Sequence, residues 1–559
     1  MNRRWMVAVL AAVTLGASSD AGYQIDLGHY FPSAAAEAQS RRALFAEAGT
    51  FVASETPRTG PALLAWLQRY DALLQLIGRN DVYLYLLAEE DDRDTADAKA
   101  DDALGDVQDR LDARVVRAAQ DLGYGKIVAL TQSPSLDPYR YLLLSSLAEA
   151  RHQLDPASAR AVAAAIDPVL DANASSYKAL RNSGEAIAAH RDAYAALLIS
   201  IATGRNGIAR LRGFADAVEA SYFDKSLTPA SVERTLQAVR HSTSYARYLA
   251  VARTAPEPAF SPPPFPVVAA VSTILAAEQP MGEAYAGAYA ALLDPAQRRL
   301  EICSDPHCDP GGFSVGASGS ESGVFYGAFD RTTNAVRALA HESGHAVHRQ
   351  FMNLAQPIAA YNDGPHFMFE SFAIFNELLL LDHLYETANG TRERAYYLNA
   401  FIDDAAFQVF RSAQETDLEQ SIYRGVDDGT IRTCADLSRL SSAAFLRYDP
   451  SAGAGPDVAL YWARDRLFYT DPLYDVNYLY AGLLALQYFS DYKRDPAAFS
   501  KRYVALLKNG FNDTPAALER KFLGVDLSNE AALVAGATAL IDARTTSLAN
   551  LYAGLSPTR

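Results

Sequence analysis

Along most of the chain, apolar residues return at every third and fourth position with alanine, leucine, arginine and glutamate between them. This is the period of helices buried on one face. Segments 62–76, 96–122, 232–252 and 369–384 show it most plainly, and each is expected to form a helix. Strict alternation is scarce. The run Val324-Phe325-Tyr326-Gly327, after the glycine-rich stretch 311–323, is the clearest strand candidate. The proline-rich stretch 256–266 interrupts the helical pattern and reads as a loop or linker. The pattern therefore predicts a mostly α fold with one small β element, and it contains neither a fixed-period repeat nor a low-complexity tail.

Composition narrows the class. Of 559 residues, 50% are hydrophobic and 21% charged, so a large core can form. Fifty Lys and Arg against 66 Asp and Glu give a net charge of −16 with no block of like charge, which argues against a nucleic-acid partner. Arg3 and Arg4, the apolar stretch 6–17 and the small-x-small triplet Ser19-Asp20-Ala21 form an export pattern, with cleavage expected after Ala21. No other uninterrupted apolar run approaches the ~18 residues of a spanning helix. The expectation is an exported protein, periplasmic or secreted, with no membrane association once residues 1–21 are removed. Cys303 and Cys308 could close a small loop as a disulfide, leaving Cys434 free. Cys303, His307 and Cys308 are alternatively soft metal ligands, although so short a segment offers no fourth ligand.

The chemistry concentrates at Ala340-His341-Glu342-Ser343-Gly344-His345-Ala346-Val347-His348. Histidines four apart on a helix stand one above the other, so both imidazoles can face one zinc ion, and Glu342 beside the first is placed to take a proton from an attacking water. His348 does not complete the set. A helix rising about 1.5 Å per residue separates it from His341 by roughly 10 Å, whereas zinc–nitrogen bonds are about 2 Å. The extended HExxHxxGxxH pattern also fails, because position 351 is Phe351. A third ligand must come from elsewhere. Asn362-Asp363-Gly364-Pro365 marks a turn, and the helix beginning at His366 carries Glu370 in apolar surroundings, where an unpaired carboxylate is expensive and a metal would account for it. Glu377, on the same face, either steadies a histidine ligand from behind or is a solvated charge.

The segments HESGHAVH (341–348) and FMFESFAIFNELLLLDHL (367–384) resemble the zinc-binding helices of the oligoendopeptidase F and thimet oligopeptidase family, whose HExGHxxH is followed one helix later by a glutamate ligand. Residues 311–329 resemble that family's glycine-rich lead into a substrate-binding edge strand. Phe410-Arg411 through Glu419, Tyr461-Trp462-Ala463-Arg464 and Tyr478-Leu479-Tyr480-Ala481-Gly482 resemble its later helices, and 81–115 its N-terminal helical region. The resemblance implies two helical halves flanking a deep channel, an N-terminal helical region over 22–200 and a catalytic domain over 201–559. One zinc per chain would be held by His341, His345 and Glu370, with Glu342 as general base. Short unstructured peptides would be the substrates, pairing as an added strand with Val324, Phe325, Tyr326 and Gly327.

One departure stands out. The family carries a histidine ahead of its tyrosine-rich C-terminal motif, and this chain has no histidine beyond His383. By the Tyr-Leu-Tyr-Ala-Gly match, Tyr478 is the expected donor to the tetrahedral intermediate, with Tyr474 second and core packing as the plain alternative. His366, one turn before Glu370, is the candidate replacement for the missing histidine, or a residue that merely caps or packs its helix. Two other functions stay open: a helical metal-binding protein that is catalytically weak, and a serine hydrolase using Ser314 of Gly312-Phe313-Ser314-Val315-Gly316. Oligomeric state is not readable from the chain.

Overall fold

A computed structural model describes residues 22–555 apart from 91–94, 258, 304, 306, 307, 309, 310 and 450–454. The expected leader, 1–21, and His307 lie outside the described residues. Helices dominate. The N-terminal layer consists of α1 (Ala34–Val52), α2 (Gly60–Glu90), α3 (Thr95–Leu130) and α4 (Arg140–Glu149). Ser33 starts α1 by accepting the Ala36 N–H at 3.3 Å, satisfying a donor with no partner inside the helix. The expected helix over 232–252 is instead two, Pro229–His241 and Ser244–Ala252. Ser242 breaks it: its backbone is extended, at φ −77 and ψ 138. Its hydroxyl accepts the Ser244 N–H at 3.2 Å, a local bond that competes with helix continuation.

Three short strands follow, β1 (Leu300–Cys303), β2 (Gly312–Val315) and β3 (Gly323–Gly327), in the spatial order β1-β3-β2. The expected strand at 324–327 is present, but it is central and not an edge. It pairs parallel with β1, Phe325 opposite Glu301, and antiparallel with β2, Phe325 opposite Phe313. Both sides of its backbone are occupied, so an added strand must pair with β1 or β2 instead. Ser314 lies on β2, and residues 316–322 form loop and turn rather than a helix, so the strand-to-helix elbow of a serine hydrolase is absent there. Cys303 and Cys308 form a disulfide beside β1, and Cys434 is free.

β3 is the seam between two hydrophobic cores. Phe325 points into the core of α1–α4, while Val324 points into the largest core, built by the C-terminal helices. That larger core is organised around α5 (Thr333–Ala355), α6 (His366–Thr387) and α9 (Asp475–Arg494), with α7 (Thr391–Ala406) and α8 (Ser412–Asp427) between the last two in sequence. A third cluster joins residues 177–201 to 418–469. From Phe367 to Asp382 every side chain of α6 is buried. Its polar members therefore need partners. Ser371 donates to the Met368 carbonyl at 2.7 Å, Asn376 to that of Phe372 at 2.6 Å, and Asp382 accepts from Lys493 at 2.9 Å. Glu370 and Glu377 find theirs on α5. Among the described residues no helix is long and apolar enough to cross a membrane.

Candidate metal centre and active site

The site begins with a close helix crossing. A Cβ placed on Gly344 would lie 2.5 Å from Asn376 Nδ2 and 3.1 Å from the Ala373 Cα, so only glycine lets α5 and α6 approach at this turn. His341 and His345 flank Gly344, and Glu370 lies one turn before Ala373. The crossing therefore brings both imidazoles onto the carboxylate. His341 Nε2 is 3.1 Å from His345 Nε2, and Glu370 Oε2 is 3.3 Å from the first and 3.7 Å from the second. Three donor atoms around an ion with bonds of about 2.1 Å would be roughly 3.4 Å apart in a tetrahedral arrangement. The observed separations bracket that value. Side-chain exposures of 19%, 12% and 11% leave the three recessed but reachable by solvent. Against burial, which raises it, the two imidazoles hold the Glu370 carboxyl well below its ordinary range.

A second layer orients the first. His341 Nδ1 lies 2.7 Å from Glu377 Oε1. A carboxylate only accepts, so Nδ1 carries a proton; against burial, which lowers it, the Glu370 and Glu377 carboxylates hold the ring well above its ordinary pKa, and a metal at Nε2 would take the place of the proton facing Glu370. Arg337 Nε lies 3.2 Å from the other Glu377 oxygen, and its Nη1 reaches Asp404 Oδ1 at 2.9 Å. Sequence reasoning found Glu377 but missed Arg337 and Asp404. Arg337 precedes His341 by one helical turn and so was findable; Asp404 comes from α7 with no local signal.

Glu342 is turned from the ligand pair toward β2, where a Cβ on Gly312 would lie 3.2 Å from its Cγ. Burial pushes its carboxyl up to about 7, His341 opposing and Glu370 adding to the effect. The Tyr474 hydroxyl donates to Glu370 Oε1 at 2.8 Å. Tyr478 sits beside it, ring centroids 5.3 Å apart, and feels the Glu370 and Glu342 charges. It is Tyr474, expected second, whose hydroxyl reaches Glu370 of the candidate metal set. His366 is exposed at the start of α6, its Nδ1 3.4 Å from the Tyr474 hydroxyl. His348 is a core histidine, its ring 4.5 Å from that of Phe372 and 5.1 Å from that of Phe369. Burial holds it well below its ordinary pKa, which keeps it neutral.

Such a set of two histidines and a glutamate on crossed helices, with a glutamate beside the first histidine, is a candidate metal site. Residues 324–537 match the description "Peptidase family M3", so this part of the chain is similar to that family, and the resemblance to the oligoendopeptidases F holds. The chain is similar to the chromosomal oligoendopeptidase F of Lactococcus lactis subsp. cremoris, 28% identical over 34% of this chain and 31% of that protein. It is also similar to oligopeptidase PepF of Bacillus subtilis, 26% identical over 45% of this chain and 37% of that one. These matches span only about a third of the relatives' own length. The fold extends further. The crystal structure of oligoendopeptidase-F from Enterococcus faecium superposes with a TM-score of 0.64, covering 92% of this chain and 98% of that one at 19% identity.

Proposed function

We propose that the chain is an exported zinc metallo-oligopeptidase that cleaves internal bonds of short, unstructured peptides. The observation that carries this reading is the convergence of His341, His345 and Glu370, with Glu342 between them and the β2 edge. The Nε2 atoms of His341 and His345 and one carboxylate oxygen of Glu370 are a donor set that suits zinc. Bound there, zinc supplies Lewis acidity, polarising the scissile carbonyl and making water a better nucleophile.

The chain's own groups do the rest. Glu342 takes the proton of the attacking water on its carboxylate and returns it to the leaving amine. Burial and the Glu370 carboxylate keep the Tyr474 hydroxyl protonated; its one proton, given to Glu370 Oε1 in this structure, would turn to the developing oxyanion when Glu370 binds the metal, with Tyr478 next to it. The peptide lies along β2. Gly327 N–H bonds the Gly311 carbonyl and Phe325 is opposite Phe313, so the alternation turns the backbone groups of Gly312 and Ser314 outward, toward the α5 side. Backbone pairing gives affinity without side-chain specificity, and a folded protein cannot lay an extended strand in a recess between two cores. Export is supported by the leader pattern of residues 1–21 and by the Cys303–Cys308 bridge, which persists in oxidising compartments.

The test is Glu342→Gln, assayed for bound zinc and for cleavage of a mixed peptide library by mass spectrometry. Wild type should hold one zinc and cleave short peptides while sparing folded proteins; the variant should keep zinc and lose turnover. Turnover at the wild-type rate in Glu342→Gln would refute the mechanism. Zinc binding without any turnover in wild type would favour a catalytically weak metal-binding protein.

A further inference from the structure

Away from the zinc ligands, a second set of carboxylates converges. Glu415 on α8, Asp465 just after the turn Tyr461–Ala463, and Asp475 in the first turn of α9 each bring an oxygen within 4.8 Å of the others. Two of the three are internal, Glu415 at 4% exposed and Asp475 at 2%, and Asp465 is half-buried. The Tyr461 hydroxyl donates to Glu415 and lies 3.4 Å from Asp465 Oδ2. Arg411 Nε is 3.8 Å from Glu415 Oε1, its guanidinium held over the rings of Phe445 and Tyr461, each 4.9 Å away. Asp475 is different. Its Oδ2 is buried with no hydrogen-bond partner. Arg466, the nearest cation in sequence, turns outward to Asp471, 62% exposed.

Two buried carboxylates and a half-buried one share Arg411, with Arg466 acting on the two aspartates from the surface, so among the described residues the set keeps a negative excess in a region where unpaired charge is costly. A divalent cation matches that remainder. The donors are all oxygen, which selects a hard ion over zinc. Calcium–oxygen bonds of about 2.3–2.6 Å allow ligand oxygens nearly 5 Å apart, whereas magnesium at about 2.1 Å needs a tighter, octahedral set and retains water. We propose that Glu415, Asp465 and Asp475 form a second cation site, for calcium, separate from the zinc centre.

Its placement gives the ion a task. Asp475 directly follows Tyr474, and the preceding Leu473 sits at φ 62, a strained conformation for a non-glycine residue, its N–H donating to Glu419 Oε1 at 2.8 Å. A cation shared between α8 and the start of α9 fixes the turn from which Tyr474 reaches Glu370. This inference does not depend on whether the zinc site cuts peptides.

The test uses the zinc-loaded protein. Equilibrium dialysis against calcium, with zinc held constant, should find one calcium per chain; terbium should give tyrosine-sensitised emission from Tyr461 that calcium displaces and equal magnesium does not. Calcium should raise the Tm of wild type, and Asp475→Asn should lower calcium affinity at least about tenfold and abolish the rise. Asp465→Asn gives the same readout should Asp475→Asn fail to fold. No calcium bound by wild type, or calcium affinity and Tm response unchanged in the variants, would overturn the proposal. A wild type indifferent to calcium with an Asp475→Asn chain more stable than it would mean that the carboxyls are neutralised by shared protons instead.

Discussion

Glu377→Gln tests the layer behind the metal ligands. In the native site Glu377 accepts twice, from His341 Nδ1 at 2.7 Å and from Arg337 Nε at 3.2 Å. A glutamine has one acceptor and one donor end. If its oxygen faces His341, its NH2 is pressed against the Arg337 N–H. If it is reversed, the NH2 faces Nδ1 and forces the proton onto Nε2, removing the lone pair from the site. Either arrangement weakens the His341 donor. Loss of an orienting partner of this kind typically costs about 10- to 100-fold in metal affinity, or about 1.4–2.8 kcal/mol. The fold should survive, because Arg337 keeps its 2.9 Å bond to Asp404. Zinc affinity is measured by competition with a chromophoric chelator, beside circular dichroism to verify folding. A folded Glu377→Gln chain with wild-type zinc affinity would refute the argument that this carboxylate sets the His341 tautomer.

How much of this was legible in the chain follows from the range of the forces involved. His341 and His345 are one helical turn apart, so periodicity alone placed them together. Glu370 was legible as a carboxylate inside an apolar run, and the Cys303–Cys308 bridge from proximity in sequence. What failed depended on distant partners. The strand Gly323–Gly327 reads as a strand, but its central position is set by Leu300–Cys303 and Gly312–Val315, runs too short to show a period. Tyr474 and Tyr478 share a helix face, and which hydroxyl reaches Glu370 depends on how α9 enters, a matter settled by contacts of Leu473 and Asp475 with α8. In the sequence Gly344 is only the glycine of the HExGHxxH pattern. Its meaning appears only when Asn376 and Ala373 are brought against it.

Three further outcomes follow from the geometry. Tyr474→Phe should lower kcat by about a hundred- to thousandfold with little change in KM, as expected for an oxyanion donor, whereas a larger loss in Tyr478→Phe would transfer the role to that residue. Gly344→Ala forces its methyl to 2.5 Å from Asn376 Nδ2, so Tm should fall with a cost of about 1–3 kcal/mol and zinc should bind more weakly; an unchanged Tm would contradict the close helix crossing. The last concerns pH. Glu519, on the helix Pro515–Phe522, is fully buried, and burial pushes its carboxyl from 4.5 up to about 8 despite the Tyr488 hydroxyl donating to it at 2.5 Å. Below its ordinary pKa both the folded and unfolded chains hold the proton, and its contribution is fully present. Between the two values the unfolded chain releases the proton while the folded one keeps it, so stability falls by about 1.4 kcal/mol per pH unit, on the order of 5 kcal/mol by pH 8. Glu519→Gln keeps an acceptor for Tyr488 and has no proton to lose. Urea unfolding at pH 5 and pH 8 should therefore show wild type losing more stability than the variant as pH rises, and parallel losses in the two chains would mean that Glu519 is not held neutral in the core.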